Sequence, residues 1–173
     1  MTNPSFTEKS REALSAARQL TVQHQHQEIA PEHLAYALLS DPQGLIAQLM
    51  TKMGKNAQEV AARIELRLSR MPKVMGPAHE ADSLYITTET EQVIEAARAR
   101  ADAMKDEYIS VEHLFLGLIV KPGRALADVW KAFGITEEAF LAALQSVRGN
   151  TRVTGETPEN TYDALAKYGT DLT

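Results

Sequence analysis

A tandem repeat constrains the fold of this chain more than any other feature. Shifting the 173-residue sequence against itself by 80 residues gives a gap-free match from about residue 7 to residue 66. Glu32-His33-Leu34 falls on Glu112-His113-Leu114, and Gly54 falls on Gly134. Apolar residues recur at three- and four-residue spacing within each copy, which is typical of helices. The pattern predicts an all-α fold, a pseudo-twofold tandem repeat of two four-helix units with about eight helices and no required strand.

Residues at the ends of these runs predict where the helices begin and stop. Pro31 suits the first position of a helix, and Ser110 is a good N-cap for the equivalent helix of the second copy. Thr88 and Glu91 form a capping-box pattern at the start of the second copy. The two matched glycines can take the left-handed conformation that ends a helix, and Asn56 and Thr136, which follow them, are expected to cap the next helix of each copy.

Proline, glycine and polar residues between and after the copies predict the domain boundaries. A single double-repeat domain is expected over residues 1–148. The stretch from Arg148 to Asn160 has the composition of a flexible linker. The predicted divisions are repeat 1 at about 6–69, a loop at 70–85, repeat 2 at about 86–148, and a linker with the start of another domain at 149–173.

Composition excludes several classes of function and favours a cytoplasmic location. A net charge of −5 argues against nucleic acid or an anionic membrane surface as the main partner, because both bind clustered Lys and Arg. The longest apolar stretch, Leu114 to Val120, is too short to cross a bilayer. No basic segment followed by an apolar run opens the chain, and there is no cysteine for a disulfide or a thiolate metal site.

The sequence contains no pattern that predicts an enzyme active site, a nucleotide-binding loop or a metal site. No glycine-rich run is followed by Lys and Ser or Thr. His24 and His26 are two residues apart, which does not place them on one helix face. His33 and His113 occupy the same position of the repeat, and the spacing does not place a nucleophile or an orienting carboxylate beside the histidine in both copies. We therefore interpret both as partners of a helix N-terminus or of neighbouring backbone. A helical-repeat hydrolase using either histidine is the less favoured alternative.

The two copies differ most in the loop before the Glu-His-Leu motif. Copy two combines Asp106 with Glu112, whereas copy one has His26 where Asp106 lies. An acidic cluster beside the apolar Tyr108 would suit an extended peptide with apolar and basic side chains. A solvated acidic loop is an equal alternative. Trp130, the single tryptophan, is predicted to fill the core.

The doubled unit, with Thr7, the two Glu-His-Leu motifs and the helix-ending glycines, resembles the N-terminal domain of Clp-type AAA+ chaperone ATPases. The likeness spans residues 6–149. Within this family, three segments resemble the ClpB-type disaggregases: Met71 to Val74, Lys105 to Leu114, and Tyr168 to Thr173. The last of these resembles the entry into a first ATPase domain, whose nucleotide motifs would lie beyond Thr173.

The resemblance implies a domain that docks unfolded or aggregated protein and is not itself an enzyme. It also implies ATP and Mg²⁺ bound by ATPase domains outside this segment, a homo-hexamer formed by those domains, and cooperation with the DnaK chaperone system. Thr7, Asp106 and Glu112 match the positions to which the family assigns substrate contact.

Where some family members have groove-lining leucines, this chain has Ala96, Arg100 and His113. A shallower, more polar groove with weak affinity is therefore expected. The closest alternative within the family is an adaptor-binding N-terminal domain of a Clp ATPase that feeds a protease. A purely structural spacer is a further alternative, which failure to bind unfolded protein would favour.

Overall fold

Eight helices and four very short strands make up the part of the chain described by the computed structural model, residues 5–73 and 84–149. The all-α prediction and the helix count are therefore confirmed, whereas the strands were not expected. The elements are β1 (Ser5–Phe6), α1 (Glu8–Gln23), β2 (Glu28–Ile29), α2 (Pro31–Leu39), α3 (Leu45–Lys52), α4 (Ala57–Arg70), β3 (Tyr85–Ile86), α5 (Thr88–Ala103), β4 (Tyr108–Ile109), α6 (Val111–Val120), α7 (Gly123–Phe133) and α8 (Glu137–Arg148).

Each strand pairs with a strand of the other repeat. β1 lies parallel to β4 with Phe6 opposite Ile109, and β2 lies parallel to β3 with Ile29 opposite Ile86. Two residues are too few to leave a recognisable alternation in the sequence, which is why periodicity does not reveal the strands. This pairing between the repeats places the start of each repeat's first helix against the Glu-His-Leu motif of the other repeat.

Most of the predicted helix ends are observed, with one correction. Gly54 and Gly134 have φ angles of 76° and 68°, in the left-handed region that favours glycine. Asn56 and Thr136 cap α4 and α8 through their side chains. The capping box expected at Thr88 is wrong by one residue, because the side chain of Thr87 accepts the hydrogen bond from the backbone N–H of Thr90.

The core is continuous through both repeats, and α6 lies at its centre. Its first eight residues are all buried. Gly117 lets α6 approach α5 closely, because a Cβ atom built there would lie 2.4 Å from the backbone oxygen of Val93. Trp130 is buried as predicted, and its indole N–H donates to the carbonyl oxygen of Leu118 at 3.0 Å.

The predicted domain boundaries lie partly outside the described residues. Residues 74–83 of the expected loop, and residues 150–173 of the expected linker and following domain, lie outside the described residues. At the near edge of the linker the structure corrects the sequence interpretation. Arg148 is the last residue of α8, and its side chain is buried instead of belonging to a solvated segment.

Candidate functional site

The exchange of strands brings Thr7 to the loop that precedes α6. The backbone N–H of Thr7 donates to the carbonyl oxygen of Ile109 at 3.0 Å, directly after the β1–β4 pair. Thr7 is also the N-cap of α1, where its hydroxyl oxygen accepts from the backbone N–H of Ser10 at 3.2 Å. Thr7 is fully buried, so in this conformation its hydroxyl serves the helix end.

Asp106 and Glu112 lie on either side of β4, and one guanidinium joins them. Arg148 Nη1 is 3.2 Å from Glu112 Oε2, and Arg148 Nη2 contacts Asp106 Oδ1. The two carboxylate side chains are 0% exposed and that of Arg148 is 3% exposed. We call these three residues the arginine bridge. The acidic pair foreseen from sequence therefore exists as a cluster, but it is buried and paired.

His113 holds Asp106 in place and has the structural role predicted for it. Its Nδ1 accepts from the backbone N–H of Ser110 at 2.9 Å, so the proton of the neutral ring is on Nε2. Nε2 lies 2.7 Å from Asp106 Oδ2 and donates to it. The Ser110 hydroxyl contacts Glu112 in turn. The same hydroxyl lies 3.1 Å from His113 Nδ1. All four side chains of this network are buried, and they hydrogen-bond to one another, to Arg148 and to the backbone.

The equivalent place in the first repeat holds a pair of histidines instead of the arginine bridge. His33 Nδ1 accepts from the backbone N–H of Ala30 at 2.9 Å, which confirms the role predicted for this histidine too, and His33 Nε2 lies 2.8 Å from His26 Nδ1. Burial, followed by the charges of His26 and His24, lowers the pKa of His33 to about 3. Leu68, fully buried, occupies the position equivalent to Arg148.

Glu32, the counterpart of Glu112, is only half-buried. Burial is the main cause that raises the pKa of the Glu32 carboxyl. Its own backbone N–H and Arg67 act in the opposite direction, whereas Glu89 raises the pKa further.

Ala96, Arg100 and His113 do not line one groove. His113 is fully buried, and Arg100 forms an ion pair with Glu137. Ala96 faces a shallow depression of about 450 Å³ that neither Arg100 nor His113 lines. The expected groove of three residues is therefore absent from the conformation observed here, because α6 turns His113 inwards to meet Asp106.

A deeper cleft, which was not predicted from the sequence, opens between α1, the α2–α3 connection and α3. Its volume is about 560 Å³. The wall begins next to the predicted site, since Lys9 follows Thr7 by two residues and Val111 directly precedes Glu112. Alanines at i and i+3 on α1 are the sequence signal that could have revealed it. The lining residues are Lys9, Glu12, Ala13, Ala16, Ala37, Leu38, Ser40, Asp41, Gln43, Gly44, Leu45, Ile46 and Val111.

Repeat symmetry relates this cleft to the shallow depression beside Ala96. Ala16, Glu12 and Asp41 of the cleft correspond to Ala96, Gln92 and Lys121 of the depression. Within residues 5–73 and 84–149, no group of three His, Cys, Asp or Glu side chains could hold a metal ion. No helix in the same ranges is long and apolar enough to cross a membrane.

Known proteins resemble this chain in sequence along nearly its whole length. It is 39% identical over 168 residues to the chaperone protein ClpB of Nitratidesulfovibrio vulgaris, a match that covers 96% of this chain and 19% of that protein. The chaperone protein ClpB of Bacillus anthracis is also 39% identical, over 167 residues, with the same coverage. The chain thus spans about a fifth of the length of these curated relatives.

Solved structures share the fold. The Hsp104 N-terminal domain from Candida albicans superposes with a TM-score of 0.78 at 18% identity, covering 90% of this chain and 99% of that one. A complex of the ClpV N-domain with a VipB peptide gives a TM-score of 0.58 at 13% identity, covering 75% and 79%. The family model of the Clp repeat (R) N-terminal domain matches residues 5–133. The chain therefore belongs to the Clp repeat (R) N-terminal domain family.

Proposed function

We propose that this chain is the substrate-binding N-terminal domain of an ATP-dependent protein disaggregase. It docks unfolded or aggregated polypeptide and passes it to a hexameric ring of ATPase domains, which lie outside this segment and bind ATP and Mg²⁺. The protein works in the cytoplasm with the DnaK chaperone system. The sequence similarity to ClpB chaperones supports the family context of this proposal.

The observation that carries the proposal is the open cleft beside the acidic cluster. Buried Leu38, Leu45 and Ile46 form apolar surface within it. Its volume of about 560 Å³ lies in the range of sites that hold a few side chains. An extended segment of unfolded protein presents such side chains without having to fold first, so the shape and polarity of the cleft suit it.

The charges around the cleft favour breadth of recognition over tight binding. Lys9, Glu12 and Asp41 place both signs of charge along it, and Glu12 and Asp41 are exposed. Exposed charges contribute little to affinity, roughly 0–1 kcal/mol each. We therefore expect a dissociation constant on the order of 10 μM or weaker for a single unfolded segment.

In this proposal Thr7, Asp106 and Glu112 receive the end of the polypeptide segment that reaches the α6 end of the cleft. A basic side chain would meet two carboxylates there once Arg148 has left them. Thr7, whose hydroxyl caps α1, would hold β1 beside this pair. Ala96 belongs to a secondary, shallower contact. Arg100 and His113 support the surrounding structure through Glu137 and Asp106.

Substitution of one exposed cleft residue tests the proposal without disturbing the core. Ala16 is exposed and lines the cleft, so Ala16→Arg should fill it and weaken binding of a fluorescently labelled, permanently unfolded protein by about tenfold. Ala96→Arg, at the equivalent position of the other repeat, is the matched control and should change the affinity less than threefold or so. Equal binding by the wild type and Ala16→Arg, measured by fluorescence anisotropy, would refute the cleft as the docking site.

One solved structure supports the adaptor-binding alternative. The ClpV N-domain, which shares the fold, was solved with a VipB peptide, so a peptide of a defined partner can occupy a domain of this architecture. An adaptor should bind tightly and with a fixed sequence preference, whereas the disaggregase proposal expects weak binding to many unfolded sequences. A peptide array probed with the 173-residue chain separates these two patterns.

A further inference from the structure

Arg148 occupies the place that the proposed function assigns to a basic side chain of the substrate. Its guanidinium contacts Asp106 and Glu112 at once, with little of the side chain exposed. The residue closes α8, so the bridge fastens the end of this helix to the loop before α6 and to the first turn of α6. The acidic pair therefore already holds a guanidinium that the chain itself supplies.

The first repeat shows that the fold does not require this bridge. Leu68 stands where Arg148 stands and His26 where Asp106 stands, and both are buried in the same architecture. Buried ion pairs are often no more stabilising than apolar side chains of similar volume. Because only one repeat has a charged bridge, we infer that the bridge has a role other than stabilising the fold.

The position of Arg148 allows it to leave with little rearrangement. Gly149 follows with a φ of 59°, outside the helix, and its backbone N–H donates to the carbonyl oxygen of Gln145 at 2.8 Å. A cavity of about 300 Å³ lies beside Arg148 and Gly149, with Met104 and Leu141 in its lining. Terminal helical turns are among the parts of a protein that open at the lowest free energy. Release of Arg148 therefore involves only the last turn of α8, in which Val147 is the single core residue.

We propose that Arg148 is an autoinhibitory contact, which an arginine side chain of the bound polypeptide replaces in the Asp106–Glu112 pair, releasing the last turn of α8. This inference rests on the proposed function, since it names the side chain that enters the site and the element that responds. Two buried carboxylates without a cation are strongly disfavoured, so Arg148 is exchanged and not simply lost. A guanidinium can join both carboxylates, which an ammonium group does less well. Because the coupling is reciprocal, freeing α8 strengthens polypeptide binding by the same factor.

Hydrogen exchange of individual amides, followed by NMR on the 173-residue chain, tests directly whether a substrate arginine replaces Arg148. The probes are an unstructured peptide with one arginine among leucines and alanines, and the same peptide with glutamine in place of arginine. The arginine peptide should speed exchange of the Arg148 and Gly149 amides about tenfold, while the glutamine peptide leaves them unchanged. The amides of Ala143 and Leu144, one turn earlier, serve as internal controls.

Two outcomes separate a failure of this inference from a failure of the proposed function. If the arginine peptide binds in a manner sensitive to Ala16→Arg while both terminal amides keep their protection, the autoinhibitory contact is wrong and the docking function stands. If neither peptide shows binding that Ala16→Arg weakens, the docking function is wrong, and this inference is wrong with it.

A conservative variant provides a second test by affinity. Arg148→Lys keeps a cation in the site but joins the two carboxylates less well, so the arginine peptide should bind about tenfold more tightly than to the wild type. The triple variant Asp106→His, Glu112→Gln and Arg148→Leu removes every charge of the arginine bridge, so no buried charge is left without a partner, and it should fold while losing the preference for arginine over glutamine. Unchanged affinity in Arg148→Lys, or a retained arginine preference in the triple variant, would overturn the inference.

Discussion

At the scale of single residues, the two repeats place the same histidine in two electrostatic settings. His33 and His113 both accept a backbone N–H through Nδ1 at 2.9 Å. The Nε2 atom of His33 faces His26, whereas that of His113 faces Asp106. Both histidines therefore accept a backbone N–H at the start of a helix, and they differ in the side chain that their Nε2 atom contacts.

The depressed pKa of His33 predicts a loss of stability in mild acid. The folded protein keeps this ring neutral down to a pKa of about 3, whereas the unfolded chain takes up a proton near pH 6.5. The free energy of unfolding should therefore fall as the pH drops below about 6.5, by up to about 1.4 kcal/mol per pH unit. Urea unfolding between pH 7 and pH 5 measures this slope.

His33→Asn provides the control for that slope. Asparagine can still accept the N–H of Ala30 and carries no titratable group, so the variant should be less stable at pH 7 and less sensitive to pH. Identical slopes for the variant and the wild type would show that His33 does not carry the pH dependence.

Residue roles could be predicted from sequence where they depend on local pattern. The backbone partners of both histidines, the caps Asn56 and Thr136 and the glycine stops follow from neighbours a few positions away. The partnership of Arg148 with Asp106 could not, because 42 residues separate them along the chain. Two glycines, a proline and several threonines between residues 149 and 160 instead favour the interpretation of a linker.

At the scale of elements, the second repeat packs its first two helices more closely than the first repeat does. Gly117 of α6 corresponds to Ala37 of α2. A Cβ atom added at Gly117 would lie only 2.4 Å from the backbone oxygen of Val93, which leaves no room for a methyl group. The obstructing atom belongs to the backbone of α5, so relief requires the helix to move.

Gly117→Ala should therefore destabilise the protein, by about 2 kcal/mol or more, although alanine normally favours a helix over glycine by about 1 kcal/mol. Ala37→Gly at the matched position should cost only about 1 kcal/mol, from helix propensity. Thermal unfolding followed by circular dichroism measures both changes. A Gly117→Ala variant as stable as the wild type would show that α5 and α6 are farther apart than described.

The strands illustrate what periodicity cannot reveal. Helices of eight to sixteen residues leave an apolar pattern that can be recognised, and all eight are predictable from it. Strands of two residues leave none, and their pairing depends on which repeat supplies the partner. From sequence, the position of Thr7 next to the α6 motif has support from family resemblance alone.

At the scale of the whole molecule, each repeat is incomplete without the other. The strand pairs cross between repeats, and α6 contacts helices of both. The cleft also combines the first repeat with Val111 of the second. Binding surface and stability therefore both depend on the intact pair.

Separated repeats should consequently fail to fold. Chains of residues 1–73 and 84–173 would each expose apolar surface that the other covers, so neither should show a cooperative thermal transition or dispersed amide resonances. A stable, cooperatively unfolding 1–73 chain would contradict this dependence. Circular dichroism and a two-dimensional amide spectrum of each fragment provide the measurement.

Methyl NMR of the 173-residue chain, titrated with a permanently unfolded protein, tests most directly whether unfolded polypeptide docks in the cleft between α1 and α3. We predict that shifts concentrate on the methyl groups of Ala13, Ala16, Leu38, Leu45 and Ile46, with small changes at Ala96. Shifts centred on Ala96, or no shifts at substrate concentrations on the order of 1 mM, would contradict it.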